Sequence, residues 1–344
     1  TPNPKPQTPN PEAAAPKNRS FERAFARKRK LIKMKERDDN KKMLMMGPKN
    51  AGKTSIHLVL FANFSPDHLK SQSYTSYINE IDVLFLGHNI RINDCGGQED
   101  FMEHYVRDVP DKVFSNVSFL VYVFDVNLKN EELDLKTYKR IIDSLFQYSK
   151  DAKVFILFHK IDKIAQADRT RTFNRAVSLV KDLTPPQALV ECFATTIYEQ
   201  SLYLAWTKII EFVVPDIAFF NTQLDTIMGL MDCDEILLVE KYTFLIMGSA
   251  SKKKDPDVAR KYERLSTIIK PFKITCVARA TGLAQTHINT DKYTLIIEKF
   301  AENTYLAVIF YNRKVNNELV SLNSKLAVNW LRHNMASKNI KLII

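Results

Sequence analysis

Short apolar runs alternate with longer amphipathic stretches along the first two thirds of the sequence. The runs at 117–126 and 153–159 are rich in β-branched and aromatic residues, as expected of strands buried on both faces. Between such runs, apolar residues recur at helical spacing. This alternation predicts a doubly wound α/β fold around one sheet. The predicted strands are 42–46, 82–86, 89–93, 117–126, 153–159 and 189–195, and the predicted helices are 54–63, 99–114, 131–149, 167–183 and 199–214.

A second pattern begins after Pro215. It predicts a small α+β domain in which helices pack on one antiparallel sheet. We therefore divide the chain into an arm (1–40), an α/β domain (41–215) and an α+β domain (216–344). The predicted helices of the last domain are 216–232, 258–270 and 317–334, and its predicted strands are 235–240, 242–248, 293–300 and 304–311.

The arm carries most of the positive charge of the chain. The formal net charge is +11; residues 1–42 hold 13 Lys and Arg against 5 Asp and Glu, whereas the remaining 302 residues hold 37 against 34. The proline-rich residues 1–18 predict disorder, and 20–37 form a basic amphipathic segment that either stays solvated or lies on an anionic membrane or a partner. The nearly balanced body gives no reason to expect a nucleic-acid partner, and nucleic-acid binding by the arm is left as an alternative.

Nothing in the sequence indicates a membrane span, a disulfide scaffold or a zinc site. No apolar run approaches the roughly 18 residues that a membrane helix needs. The four cysteines lie far apart and show no metal-ligand spacing. This cysteine pattern makes a reducing compartment the default, and we expect a cytoplasmic protein; no secretory signal opens the sequence.

The strongest motif lies between the first predicted strand and the first predicted helix. Residues 47–54 read Gly-Pro-Lys-Asn-Ala-Gly-Lys-Thr and match the pattern GxxxxGK[ST] of phosphate-binding loops. Gly47 and Gly52 allow a tight backbone path, and the N–H groups of such a loop bind phosphate oxygens. Lys53 is expected to reach the β- and γ-phosphates, and the Thr54 hydroxyl to ligate Mg²⁺. The same loop and helix start place Asn50, Ala51 and Ser55 among the predicted nucleotide-binding residues.

A second motif, Asp94-Cys95-Gly96-Gly97-Gln98, follows another predicted strand. In proteins with a phosphate loop, an acidic residue at the end of a strand holds Mg²⁺ directly or through water, so Asp94 is the candidate. The N–H of Gly97 is expected to contact the γ-phosphate, and Gln98 to orient the attacking water. Taken alone the segment also fits a simple turn, and its position in such a domain favours the functional interpretation.

A third motif predicts that the base is guanine. His159-Lys160-Ile161-Asp162 ends a predicted strand. A carboxylate at Asp162 can accept two hydrogen bonds from N1–H and the exocyclic N2–H₂ of guanine, a donor pair that adenine lacks. The stem of Lys160 can cover the base, and His159 completes the group. After the next predicted strand, Thr196 and Ile197 are candidates for the loop whose backbone contacts the guanine carbonyl.

Several longer segments carry a resemblance to one family. They read MGPKNAGKTS with LFAN close behind, FLG at 85–87, DCGGQEDFMEHY, VYVFDV and HKID, and then DEILLVEKYTFL and ENTYLAV in the second domain. On these segments the chain resembles small GTPases and is similar, over about 42–335, to the Rag GTPases of the RagA/RagB type. HKID departs from the usual Asn-Lys-x-Asp, and 64–76 and 249–290 show little likeness.

The resemblance implies a Ras-like P-loop domain followed by a roadblock-type α+β domain that makes a heterodimer. It implies an enzyme that binds GTP and GDP with Mg²⁺ and hydrolyses GTP slowly unless a GTPase-activating complex assists. It also implies that Thr75, counted back from Phe85, joins Thr54 and Asp94 on the metal, and that Gln98 is catalytic.

The implied partner is a GTPase subunit of the RagC/RagD type. Such proteins associate indirectly with lysosomal or vacuolar membranes through a scaffold complex and recruit the TOR kinase complex when amino acids are plentiful. Two alternatives are left open, a nucleotide-bound structural scaffold subunit with little or no GTP cycling and a monomeric Arf- or Gα-like transducer. The C-terminal domain argues against the second alternative.

Overall fold

The apolar runs of the first part of the chain form the strands of one sheet. In the computed structural model these are β1 (Lys41–Met46), β2 (Asn79–Phe85), β3 (His88–Asp94), β4 (Val117–Asp125), β5 (Lys153–His159) and β6 (Val190–Thr195). Their order is β2-β3-β1-β4-β5-β6, and neighbours are parallel except for the antiparallel edge strand β2. The structure describes residues 41–61, 64, 66, 69, 79–85, 88–128, 130–214, 216–241, 243, 245–252, 268, 285–311 and 315–338.

The central strands of this sheet are buried on both faces. Along β1, Met43 and Met45 belong to one hydrophobic cluster, whereas Leu44 and Met46 belong to another. Successive side chains of a strand point to opposite faces, so a fully apolar strand requires helices on both sides of the sheet. The helices are α1 (Lys53–Phe61), α2 (Glu99–Arg107), α3 (Pro110–Phe114), α4 (Glu131–Tyr148), α5 (Arg169–Leu183) and α6 (Ser201–Val213).

The remaining described strands form a second, fully antiparallel sheet. They are β7 (Glu235–Glu240), β8 (Ile246–Ser251), β9 (Gln285–Asn289), β10 (Tyr293–Ala301) and β11 (Thr304–Tyr311), in the order β8-β7-β11-β10-β9. Helix α7 (Ile217–Met231) packs on β7 and β8, and helix α8 (Asn317–Ser337) packs on β10 and β11. This is the predicted α+β arrangement, and its antiparallel sheet is consistent with a roadblock-type domain.

The predicted α/β fold and most predicted elements are confirmed, but three predictions were wrong in detail. The helix predicted at 99–114 is broken into α2 and α3, because the residue before Pro110 is steered out of the helical region and Val109 has φ −136° and ψ 39°. The strand predicted at 242–248 lies instead at Ile246–Ser251, because the Glu240 carboxylate accepts hydrogen bonds from the amide and hydroxyl of Thr243 and shapes a turn there. Strand β9 was missed.

A continuous hydrophobic cluster contains residues of both sheets. Val213 and Ile217, on either side of the predicted boundary, are buried in the same cluster, and Lys41 Nζ donates to the Val213 carbonyl oxygen at 2.5 Å. The boundary at 215 stays a prediction. The arm (1–40), Pro215 and the helix predicted at 258–270, apart from residue 268, lie outside the described residues. Among the described helices, none is long and apolar enough to cross a membrane.

Candidate nucleotide-binding site

The three motifs meet at one edge of the first sheet. In the strand register Met45 lies beside Asp94, Asp125 lies beside His159, and His159 lies beside Thr195. The carboxyl ends of parallel strands share one edge of a sheet, and open α/β sheets bind their ligands there. The loops that follow β1, β3, β4, β5 and β6 therefore surround one location.

Two glycines shape the loop that follows β1. The φ angles of Gly47 and Gly52 are 144° and 109°, a region in which L side chains are strained. A Cβ atom on Gly47 would overlap the carbonyl oxygen of Val123, and one on Gly52 would lie 2.5 Å from Cδ2 of His159. The backbone thus passes so close to β4 and β5 that a side chain has no room. Helix α1 begins directly afterwards and presents its N-terminal N–H groups to the loop.

Lys53 places a positive charge inside this loop. The residue is 6% exposed, and Nζ donates to the carbonyl oxygens of Gly47 at 2.6 Å and Pro48 at 3.0 Å. Burial lowers the pKa of Lys53 to about 8, and the carboxylate of Asp94 opposes that shift. A desolvated ammonium group of this kind attracts an anion more strongly than one in bulk water.

Asp94 faces the loop from the end of β3. The residue is 1% exposed, and the amide of Cys95 next to it donates to the Met45 carbonyl oxygen at 3.0 Å, which fixes the segment against β1. Burial raises the pKa of Asp94 to about 6, and the charge of Lys53 opposes this shift. Atom Oδ1 of Asp94 accepts no hydrogen bond from the part of the chain that the structure describes. A buried carboxylate oxygen with spare acceptor capacity suits a hard cation such as Mg²⁺.

Gly97 and Gln98 continue from Asp94 along the side of the loop. A Cβ atom on Gly97 would overlap Nζ of Lys53 and lie 2.5 Å from the carbonyl oxygen of Gly47. Gln98 is the N-cap residue of α2, but its side chain makes no capping hydrogen bond. The backbone of Gly97 therefore lies directly beside Lys53. The side-chain amide of Gln98 does not cap α2.

Lys160 ties the end of β5 to the phosphate loop. Its Nζ donates to the carbonyl oxygen of Asn50 and, at 2.9 Å, to Oδ2 of Asp125. Burial would raise the pKa of Asp125, but the hydrogen bonds from Lys160 and from the Asn127 amide outweigh it and hold the pKa below its ordinary value. The charge-assisted link keeps the loop after β5 in contact with the loop after β1.

His159 fills the space between the phosphate loop and β6. The residue is buried, and its Nδ1 lies 3.0 Å from Oγ1 of Thr195. Burial lowers the pKa of His159 to about 4, and the neighbouring Lys160 adds to the shift. A neutral imidazole thus occupies the position at which the resemblance expects an asparagine.

Asp162 and the loop after β6 occupy the predicted base side of the site. Asp162 lies half-buried in the short 3₁₀ turn Ile161–Lys163, near enough to His159 to influence its pKa. The amide of Thr196 donates to Oγ of Ser201 at 3.1 Å, and Ile197 packs against the hydrophobic cluster. The contact of this loop with guanine stays a prediction for both Thr196 and Ile197.

The other predicted residues lie around the loop, with one exception. Thr54 and Ser55 form the first turn of α1, Ala51 is buried, and Asn50 has a left-handed φ of 63°. Thr75 lies outside the described residues. A loop with no room for side chains at its two glycines, a buried ammonium group and a carboxylate with a spare oxygen fit a nucleoside triphosphate with Mg²⁺.

Sequence reasoning missed one residue of this site, Asp125, and one residue packed beside it, His57. Asp125 is the last residue of β4 and accepts a hydrogen bond from the Lys160 ammonium group, and its position at a strand end was a usable signal. His57 lies on α1 with Nδ1 3.9 Å from Oδ2 of Asp94. Its spacing of one helical turn from Lys53 was the available signal, since residues at that spacing share a helix face.

Comparison with known proteins agrees with this geometry. Residues 42–269 match the family model described as the Gtr1/RagA G protein conserved region. The chain is 34% identical to Ras-related GTP-binding protein A of Dictyostelium discoideum over 83% of this chain and 95% of the relative. It is 30% identical to Ras-related GTP-binding protein B of Rattus norvegicus, over 82% and 83%, and 30% identical to GTP-binding protein gtr1 of Schizosaccharomyces pombe, over 82% and 92%. The chain therefore belongs to the Gtr1/RagA family of G proteins.

Proposed function

We propose that this protein is a guanine-nucleotide switch that binds and hydrolyses GTP as the RagA/RagB-type subunit of a heterodimeric Rag GTPase. One observation carries the proposal: Lys160 joins the loop that precedes Asp162 to the Asn50 carbonyl of the phosphate loop. A base-reading carboxylate and a phosphate loop held together in this way can bind a single nucleotide.

Each residue has a defined part in this switch. The loop N–H groups and Lys53 bind the β- and γ-phosphates, and Asp162 binds the purine edge. Thr54, Asp94 and, in the GTP state, Thr75 would hold Mg²⁺, which neutralises charge on the phosphates when bound. Gly97 contacts the γ-phosphate, and Gln98 orients the attacking water. Hydrolysis removes the group that orders these segments, so the segments around Thr75 and Gly97 are released.

The proposed partners and location are those that the resemblance to Rag GTPases implies. We propose a RagC/RagD-type subunit as the partner, joined through the C-terminal α+β domain (216–344). The pair would sit on lysosomal or vacuolar membranes through a scaffold complex and recruit the TOR kinase complex in response to amino acids. Co-purification of the full chain with co-expressed RagC/RagD-type subunits tests the partner, and fractionation of tagged protein tests the location.

The nucleotide assignment is tested by what the purified full chain binds. We expect GTP or GDP to co-purify, and GTP but not ATP to compete for the site. Asp162→Asn should weaken GTP binding about 100-fold or more, because a charge-assisted donor pair loses its acceptor, and should favour xanthine nucleotides, whose O2 accepts from the new amide. The control is Asp168→Asn, an exposed carboxylate in the next 3₁₀ turn. Strong ATP binding by the unmutated protein would exclude the guanine assignment.

A further inference from the structure

A buried imidazole lies directly behind the carboxylate that faces the phosphate loop. His57 is 5% exposed and follows Lys53 by one turn of α1. Its Nδ1 lies 3.9 Å from Oδ2 of Asp94, and both side chains are almost fully buried. His57 therefore lies on the same face of α1 as Lys53, and its ring approaches the Asp94 carboxylate within the core.

Aromatic neighbours hold this imidazole in place from its other side. The ring of Phe61 packs edge-on against His57 with ring centroids 5.8 Å apart. Phe61 in turn packs edge-on against Trp206 of α6, with centroids 5.1 Å apart. Such edge-to-face contacts restrict the ring, so its Nδ1 stays directed toward the Asp94 side.

The orientation of the Asp94 carboxylate depends on a hydrogen-bond donor to one of its two oxygens. Its Oδ1 accepts no hydrogen bond from the described residues, and a carboxylate that is free to rotate presents its two oxygens interchangeably. A hydrogen bond donated to Oδ2 would fix the carboxylate so that Oδ1 faces the magnesium site. The present separation would have to shorten by about 1 Å to give an ordinary N–H···O hydrogen bond.

We propose that His57 is a positioning residue for Asp94: in the loaded site its Nδ1–H, 3.9 Å from Oδ2 in this structure, closes to hydrogen-bond distance, holds Oδ2 and leaves Oδ1 directed at the magnesium site. The inference rests on the proposed function, in which Asp94 acts on Mg²⁺. Ligating carboxylates are commonly oriented by such partners, and loss of the partner lowers metal affinity about 10- to 100-fold. His57 itself touches neither metal nor nucleotide in this arrangement.

The test uses the full chain loaded with a fluorescent GDP analogue and measures the rate of GDP release at a series of free Mg²⁺ concentrations. For the unmutated protein, Mg²⁺ should slow release with a measurable half-saturating concentration. His57→Leu should raise that concentration about tenfold or more, and should leave the release rate in excess EDTA unchanged. Because EDTA removes the metal from both proteins, this second rate separates loss of metal from damage to the nucleotide pocket.

Two further substitutions identify the atom responsible. His57→Asn keeps an N–H donor near the position of Nδ1 and should restore the half-saturating concentration to within about threefold of the unmutated value. His57→Gln places its amide nearer the position of Nε2 and should behave like His57→Leu. This pair carries the test if His57→Leu does not fold. Leu60→Val, a core truncation on the same helix, is the control for lost packing.

The possible results lead to different conclusions. If all three His57 variants keep the unmutated half-saturating concentration while their unfolding temperature falls as in Leu60→Val, His57 only fills the core and the inference is overturned. If Asn and Gln raise the concentration equally, the Nδ1 assignment is overturned. If Mg²⁺ does not slow GDP release from the unmutated protein, the magnesium site of the proposed function is wrong, and the inference is overturned with it.

Discussion

A Cβ atom on Gly97 would overlap Nζ of Lys53 and lie 2.5 Å from the carbonyl oxygen of Gly47. The ammonium group could swing aside, but the Gly47 carbonyl belongs to the phosphate loop and cannot. Gly97→Ala should therefore push the segment after Asp94 away from the loop. Overpacking of this kind costs about 1–3 kcal/mol, so GTP affinity should fall about tenfold or more, while GDP, which lacks the γ-phosphate, should bind within about threefold of normal.

Equilibrium titration with fluorescent GTP and GDP analogues measures this change. The matched control is Gly229→Ala on α7, where an added Cβ meets no atom within 4 Å. Alanine is a better helix former than glycine, so this control should be neutral or slightly stabilising. Equal losses for GTP and GDP in Gly97→Ala would mean that the loop itself is distorted, and the γ-phosphate role of Gly97 would be wrong.

Gln98 can be replaced with little cost to the fold, because its side chain makes no capping hydrogen bond at the start of α2. Gln98→Leu should keep GTP binding and lower activator-stimulated hydrolysis about 100-fold or more, since the attacking water loses its positioning amide. Intrinsic hydrolysis should be slow in both proteins, on the order of 10⁻⁴–10⁻² per second. Phosphate release with and without an activating complex measures both rates.

The neighbouring Glu99→Gln, exposed in the first turn of α2, controls for a changed helix start. An unchanged stimulated rate in Gln98→Leu would remove Gln98 from the mechanism. If the unmutated protein releases no phosphate even with an activating complex, a nucleotide-bound scaffold subunit becomes the better interpretation.

The parts of the site that depend on local chemistry could be predicted from the sequence. Gly47, Gly52 and Lys53 act within one loop, so the spacing of the motif is itself the geometric requirement. Asp125 and His57 were missed because their partners, Lys160 and Asp94, lie more than 30 residues away in the sequence. Such contacts depend on the order of the strands and on the rotation of α1, which no local pattern specifies.

In the fold, too, the elements with a clear local sequence pattern were predicted and those without one were missed. Strands buried on both faces, such as β4, are mostly apolar, and β4 was predicted within a residue. Strand β9 was missed because Gln285–Asn289 is a short, mostly polar edge strand with a single apolar residue, Ile288. The break before Pro110 had a local signal, since a proline within a predicted helix marks a boundary.

Lys160 gives a prediction about nucleotide release. Lys160→Met keeps the aliphatic stem but removes the donor to the Asn50 carbonyl and to Asp125. Hydrogen bonds from charged groups contribute about 1.5–3 kcal/mol, so GDP release should accelerate about tenfold or more if this link holds the closed site together. Lys163→Met, an exposed lysine of the same 3₁₀ turn, is the control. Equal release rates in the two variants would show that the link does not hold the nucleotide.

The buried imidazole of His159 predicts a pH dependence of stability. Burial lowers its pKa from an ordinary 6.5 to about 4 in the folded protein. Between these values the unfolded chain takes up a proton that the folded protein does not. The free energy of unfolding contributed by this group is therefore fully present above pH 6.5 and is lost progressively as the pH falls toward 4.

The contribution of His159 to the free energy of unfolding is isolated by comparing the unmutated protein with the His159→Asn variant. Asparagine cannot titrate and is the residue that the resemblance expects at this position, so it should be accommodated between Gly52 and Thr195. Urea denaturation at pH values from 7.5 to about 4.5 should show the unmutated protein losing stability relative to the variant as the pH falls. Two carboxyl groups have raised pKa values, the buried Asp94 and the half-buried Asp134; they change stability in the opposite sense, but they do so in both proteins. His287→Asn, at an exposed histidine of β9, controls for the loss of one imidazole. A constant difference between the two proteins across this range would mean that His159 is protonated as readily in the fold as outside it.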